Sequence, residues 1–195
     1  MRRPCAAFRY VTIAQQPTTI GEPNGRRTAR LRTLLETLRA CAFRARIDHD
    51  MDAWLTAHAF FVTSVSGAIY IAGGNCGEVS RSPALLKLMV DGIRQGFSVV
   101  RVLGRPVHPF ALTALFTWMP RAFAVYYWQR FFSRKLAEFI FARHACNSSV
   151  EMHMLSTDCR LLLAKSGVSA PALERLNKAI DEYATANSRE VPAAG

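Results

Sequence analysis

Apolar residues recur three and four apart through most of this chain, and the polar residues between them mark where one helix ends and the next begins. From Thr28, suited to an N-cap, Leu31, Leu34, Leu35, Leu38, Cys41 and Ala42 fall at helical spacing with Arg between them, which predicts an amphipathic helix. Residues 53–77, AWLTAHAFFVTSVSGAIYIAGGNCG, then run without a charged side chain between Asp52 and Glu78. Such a run exceeds the roughly 20 residues that cross a bilayer. Its polar content points elsewhere: Thr56, His58, Thr63, Ser66 and Tyr70 include spacings of three, four and seven that gather polar groups toward one helical face, and glycines crowd its end. The expectation is the central buried helix of a soluble all-α domain, with a polar strip along a cleft.

Beyond it, Ser82-Pro83 reads as cap and first residue of a helix whose buried side is Leu85, Leu86, Met89, Ile93, Phe97 and Val100, stopped at Gly104. Residues 110–132 are aromatic-rich and broken by Pro120 and Arg121, which predicts two packed half-helices with the aromatics in the core or at a dimer contact. Ser133 is placed as the cap of a helix to about His144. Ser148 or Ser149 caps another, ending at Gly167, and Pro171 starts the last, with Leu173, Leu176, Ile180 and Tyr183 on one face. The expected tail from Ala184 is frayed. Ahead of the helices, RYVTI (residues 9–13) reads as a strand, followed by loops through Pro17, Gly21, Pro23 and Asn24-Gly25.

Composition narrows the class. With 195 residues, 50% hydrophobic and 20% charged, the chain holds one sizeable core and is not a disordered polymer. The net charge of +11 is uneven, because the first 46 residues carry ten Arg against Glu22 and Glu36. That asymmetry suits nucleic acid, anionic lipid or a phosphorylated ligand, or else a solvated Arg-coated helix without the interleaved aromatics of a nucleic-acid surface. Neither nucleic acid nor a membrane is the expected partner. Five cysteines at 5, 41, 76, 146 and 159 form no CxxC pair, so no metal site is expected and buried reduced thiols are. The N-terminus lacks the apolar core of a secretory signal, and the expected location is the cytoplasm. There is no G-x-G-x-x-G, no phosphate loop, no nucleophile elbow and no HExxH.

The order of RYVTIAQQPTTIGE, the Arg-rich helix, Trp54 heading the long uncharged helix, ALLKLMVDGIRQGFSVVRVLGRPV and SSVEMHMLSTDCRLLLAKSGVSAPALERL resembles the C-terminal part of the ketopantoate reductase (2-dehydropantoate 2-reductase) family. The resemblance implies an all-α, multi-helix domain of the 6-phosphogluconate-dehydrogenase-like type with a short N-terminal strand remnant. Residues 1–26 would be a remnant of the nucleotide-binding domain and linker, 27–184 the helical substrate-binding and dimerisation domain, and 185–195 a flexible tail. It implies an NADPH-dependent reduction of a small 2-keto acid, the NADPH held by a Rossmann domain that this chain lacks. The chain would be a truncated oxidoreductase, inactive alone and paired as a homodimer or with a Rossmann-domain partner. Thr56 stands at the position of the family's general-acid Lys. His58, two residues on, is either an alternative acid or a core histidine. Asn75 and Glu151 match the family's substrate-holding Asn and Glu, and Glu151 is equally well read as a first-turn carboxylate favoured by the helix dipole. The alternative function is a stand-alone basic interaction or dimerisation module without catalysis.

Overall fold

A computed structural model describes residues 17–188, of which 75% are helical and 4% lie in strands. The expected RYVTI strand falls outside the described residues. Of the two strands that are described, the first lies where loops were expected and the second where no element was assigned. Thr18–Ile20 (β1), a β-branched trio, pairs in parallel with Ala45–Ile47 (β2), Thr18 opposite Ala45 and Ile20 opposite Ile47. Between them runs Ala29–Ala40 (α1), capped by Thr28, whose hydroxyl accepts from the Leu31 N–H at 3.2 Å. Of its expected apolar stripe only Leu31 is buried, while Leu34 and Cys41 are exposed. The β1–α1–β2 head thus adds little apolar area to the core.

Met51–Ile71 (α2) is the central helix. Asp50 caps it, accepting from the Ala53 N–H at 2.9 Å. It stops at Ile71 because the chain turns through Gly73 and Gly74, whose φ values of 67° and 82° few other residues adopt. The uncharged run is therefore one helix plus a turn, followed by Cys76–Arg81 (α3). Every residue from Thr63 to Tyr70 is buried. By length and mean hydropathy, 1.3, α2 could cross a membrane, and 67% of that apolar window is buried inside the protein.

The covering comes from Pro83–Val102 (α4), Ser149–Ser166 (α9) and Pro171–Ser188 (α10), all packed on α2. Ser82 and Pro83 open α4 as expected, with the Ser82 hydroxyl accepting from the Leu85 N–H. The helices approach through glycines. A Cβ on Gly96 would lie 2.6 Å from the Cβ of Phe60, and one on Gly67 would lie 2.6 Å from the Leu176 carbonyl oxygen. A Cβ on Gly92 would run into Cδ1 of Leu176 and lie 3.3 Å from the Ser64 hydroxyl, so with Gly96 on Phe60 and Gly92 beside Ser64, α4 runs antiparallel to α2. Gly167 ends α9 with a φ of 66°, and α10 continues to Ser188, past the expected end near residue 184.

The remaining flank is aromatic. Phe110–Thr113 (α5) passes into a π-helical turn, Ala114–Trp118; Pro120 breaks the chain as predicted, and Arg121–Phe132 (α6) follows. Ser133 caps no new helix: it ends α6, donating to the Arg130 carbonyl at 2.9 Å. Lys135–Ala137 (α7) leads into a second π-helical turn, Glu138–Ala142, and then Arg143–Asn147 (α8). Trp128 is the hub, its ring centroid 5.7 Å from Phe61, 5.2 Å from Phe132 and 5.8 Å from Phe141.

Candidate functional site

Thr56 lies one turn into α2, where the head meets the bundle, and its side chain is buried. Its hydroxyl donates to the Asp52 carbonyl at 2.6 Å and accepts from Nη1 of Arg105 at 2.9 Å. Nη2 of Arg105 lies 2.8 Å from Oδ2 of Asp52. The aim of Arg105 follows from the way α4 ends. Gly104, with a φ of 75°, donates its N–H to the Arg101 carbonyl, and Arg105 donates its own to the Val100 carbonyl at 3.1 Å, the paired bonds of a Schellman stop. Antiparallel packing does the rest. With Gly92 opposite Ser64 and Gly96 opposite Phe60, the next turns of α4 arrive beside Thr56 and Asp52. Nearby, Nδ1 of His108 lies 3.3 Å from Oδ2 of Asp48, whose backbone N–H bonds the Ile20 carbonyl and ties the site to β1.

The other expected site residues stand elsewhere. His58 is 200° around the helix from Thr56, since each residue turns the helix by about 100°. Its ring stacks on Trp54 with centroids 4.8 Å apart, and burial, followed by the charge of His144, holds its pKa below the ordinary value. A proton donor there cannot reach a ligand at Thr56. Asn75 lies beyond the far end of α2, about 22 Å or more along the axis, where its Oδ1 caps α3 by accepting from the Glu78 N–H at 3.0 Å. Glu151 is exposed in the first turn of α9, whose next residue, Met152, receives the Ser66 hydroxyl at 3.2 Å. The four expected residues therefore do not converge on one ligand. Asp52 and Arg105, which complete the Thr56 cluster, were not singled out. The paired glycines Gly92 and Gly96, four apart on the α4 face toward α2, were the signal that could have set this register.

Arg105 keeps 35% of its side chain exposed and has donors beyond the two engaged on Thr56 and Asp52. A guanidinium fork can accept a carboxylate or a developing alkoxide. It cannot serve as the acid, because Arg does not give up its proton in a protein. Asp52 competes with any incoming anion.

No protein-family model matches the chain, and neither does any curated protein or solved structure.

The nucleotide implied by the resemblance can be tested against the β1–α1–β2 unit. In dinucleotide sites the pyrophosphate sits at the N-terminus of the helix that follows the first strand. Here the buried carboxylate of Glu22 stands at that end, accepting from the Thr28 hydroxyl, from Nε of Arg30 at 2.8 Å and from Nη2 at 2.5 Å. Its bonds to Arg30 and Thr28 pull its pKa down to about 2, so it is charged at neutral pH. A fixed negative charge repels phosphate. The N-terminus of α1 therefore does not fit a dinucleotide pyrophosphate.

Proposed function

We propose that this chain is the substrate side of an NADPH-dependent 2-keto acid (2-dehydropantoate) oxidoreductase, a helical domain of the 6-phosphogluconate-dehydrogenase-like type. The observation that carries the reading is the Arg105 guanidinium hydrogen-bonded at 2.9 Å to Thr56, the position of the family Lys. A cation absent from α2 is supplied there from the end of α4. Arg105 pairs with the carboxylate or keto oxygen of the substrate, and Thr56 fixes its orientation. NADPH is bound by a domain or partner other than residues 17–188. Because Arg105 holds charge without releasing a proton, the site binds a 2-keto acid and lacks the general acid that reduction requires.

Calorimetric titration with 2-dehydropantoate tests this. Saturable binding is expected, weakened about tenfold by Arg105→Met, since a hydrogen bond to a charged group contributes about 1.5–3 kcal/mol. Asp52→Asn should tighten it by removing the competing carboxylate. Equal affinities for the native chain and Arg105→Met would overturn the reading. Oxidation of NADPH by the chain alone, above a heat-inactivated control, would overturn the assignment of the nucleotide to another domain. The second reading, a basic interaction module without catalysis, is favoured by the exposed rings of α6.

A further inference from the structure

Residues 92–137 contain seven Arg and Lys and no Asp or Glu. Its later part, from Phe110 on, carries five exposed aromatic side chains. On α6 only Ala124, Trp128 and Phe132 are buried, a single stripe four residues apart. Phe123, Tyr126, Tyr127 and Arg130 form an exposed stripe at spacings of three and four. Before Pro120 stand two further exposed rings, Trp118 (63%) and Phe110 (69%), their centroids 5.0 Å apart. Arg134 and Lys135 are exposed at the far end of the α6 stripe. Beside Tyr126 an open depression of about 440 Å³ is lined by Lys87, Arg121 and Gln129.

Exposed aromatic surface of this kind marks a contact, and its charge selects the partner. A two-fold contact between copies of the chain would set this face against itself. Arg130 and Arg134 would then meet like charges, since Asp91 is paired with Arg121 and the Glu138 carboxylate accepts from the Cys76 N–H. A negatively charged surface answers both features. Among such surfaces, a lipid headgroup layer takes amphipathic Trp and Tyr rings at its boundary and basic side chains on its phosphates. The stripe follows the outer side of a helix, a shape that rests on a sheet of lipid. A single strand of nucleic acid is held instead in a groove.

We propose that the α6 face docks this protein on an anionic lipid bilayer, with Trp118, Phe123, Tyr126 and Tyr127 in the headgroup layer and Arg130 and Arg134 on lipid phosphates. No segment crosses the bilayer in this arrangement, and α2 remains the core helix.

The test uses the purified full chain with sonicated vesicles of phosphatidylcholine alone or containing one third phosphatidylserine. Co-sedimentation with the serine-containing vesicles is expected, weakening as salt is raised, together with a blue shift of tryptophan emission that Trp118→Phe abolishes. Trp128 is buried and Trp54 half-buried against His58, and both serve as internal reference. Arg130→Glu with Arg134→Glu should lower affinity at least tenfold, as each basic group near such a surface is worth several-fold. Arg32→Glu, on the rival basic helix α1, should have a much smaller effect. All three sites are exposed, and unchanged thermal unfolding separates lost docking from lost fold. The proposal is overturned by equal binding to both vesicle types, by no binding, or by an Arg32→Glu loss as large as that of the α6 pair. Single-stranded oligonucleotide that binds tightly and excludes vesicles overturns it in favour of nucleic acid. A dimer that Tyr126→Arg dissociates overturns it in favour of a second copy.

Discussion

Around α2 the protein is built in two different ways. On the side of α4 and α10, helices meet through absent side chains: Gly96 admits Phe60, and Gly67 admits the backbone of Leu176. On the side of α5 to α8, space is filled by rings, with Phe116, Trp128 and Phe141 around Phe61, Phe132 against Trp128, and the backbone relaxed into two π-helical turns. Glycine contacts fix the distance between backbones and so fix a register. Ring contacts fill volume and tolerate changes of angle. The Arg105–Thr56 pair, which needs two helices in one register, lies at the end of the glycine side. The exposed stripe that needs only a broad surface lies on the aromatic side.

The contrast is broken most sharply by deletion on the aromatic side and insertion on the glycine side. Phe116→Ala, at a side chain that is fully buried, should cost about 3–5 kcal/mol through the cavity it leaves. Gly67→Ala should cost about 1–3 kcal/mol despite raising helix propensity, because the new methyl meets a carbonyl oxygen that cannot turn away. Both are read by urea denaturation. If Gly67→Ala is neutral, α2 and α10 can part and glycine does not fix the distance between them; the α4 register that places Arg105 rests on Gly96 against Phe60 and is read separately by Gly96→Ala.

The two constructions also differ in how far the sequence discloses them. Helix ends are written locally: Thr28, Ser82-Pro83, Pro120, Gly167 and Pro171 each act on backbone groups within a few residues, and each stands where a boundary was expected. Ser133 failed as a cap because its hydroxyl bonds backward to the Arg130 carbonyl, at the end of α6. The β1–β2 pairing was missed because three-residue strands carry too little periodicity, and their pairing depends on a partner 27 positions away. The Thr56 cluster was half legible. Thr56 itself was singled out, but Arg105 reaches it across 49 positions of chain through the packing of two helices. Periodicity says which face of a helix is buried and not which residue of another helix it meets. For the same reason Thr56 and Asn75 looked like parts of one site, although α2 holds them at its opposite ends.

Ionisation sharpens the comparison at smaller scale, because the aromatic side carries a titratable ring within it. His58 is stacked on Trp54 and beside Phe61, and burial holds its pKa below the ordinary 6.5. Below about pH 6.5 the unfolded chain takes up a proton that the folded His58 refuses, so stability falls as pH drops from that point to the folded pKa and then levels. His58→Phe keeps a ring against Trp54 and removes the titration. The denaturation midpoint of the native chain should decline between pH 7.5 and 5.5, and that of His58→Phe should decline less. Parallel declines would assign the loss to other groups.

Glu22 gives the smallest effect, confined to the head. Its pKa is lowered from 4.5 to about 2 by Arg30 and Thr28, so its contribution is complete above about pH 4.5 and is lost as pH falls toward 2. That window lies below the one set by His58. The head touches the core through few buried apolar groups, Leu31 and Ala45 among them, so its loss need not carry the bundle with it. At pH 2.5 the amides of Thr18 and Asp48, which bond the Arg44 and Ile20 carbonyls, should exchange with solvent faster than those of Thr63 to Tyr70 in α2. Glu22→Gln should bring that fast exchange to neutral pH without changing α2. If protection in the head and in α2 is instead lost together as pH falls, the head is part of the same cooperative unit, and the Arg105 cluster gains its rigidity from both sides.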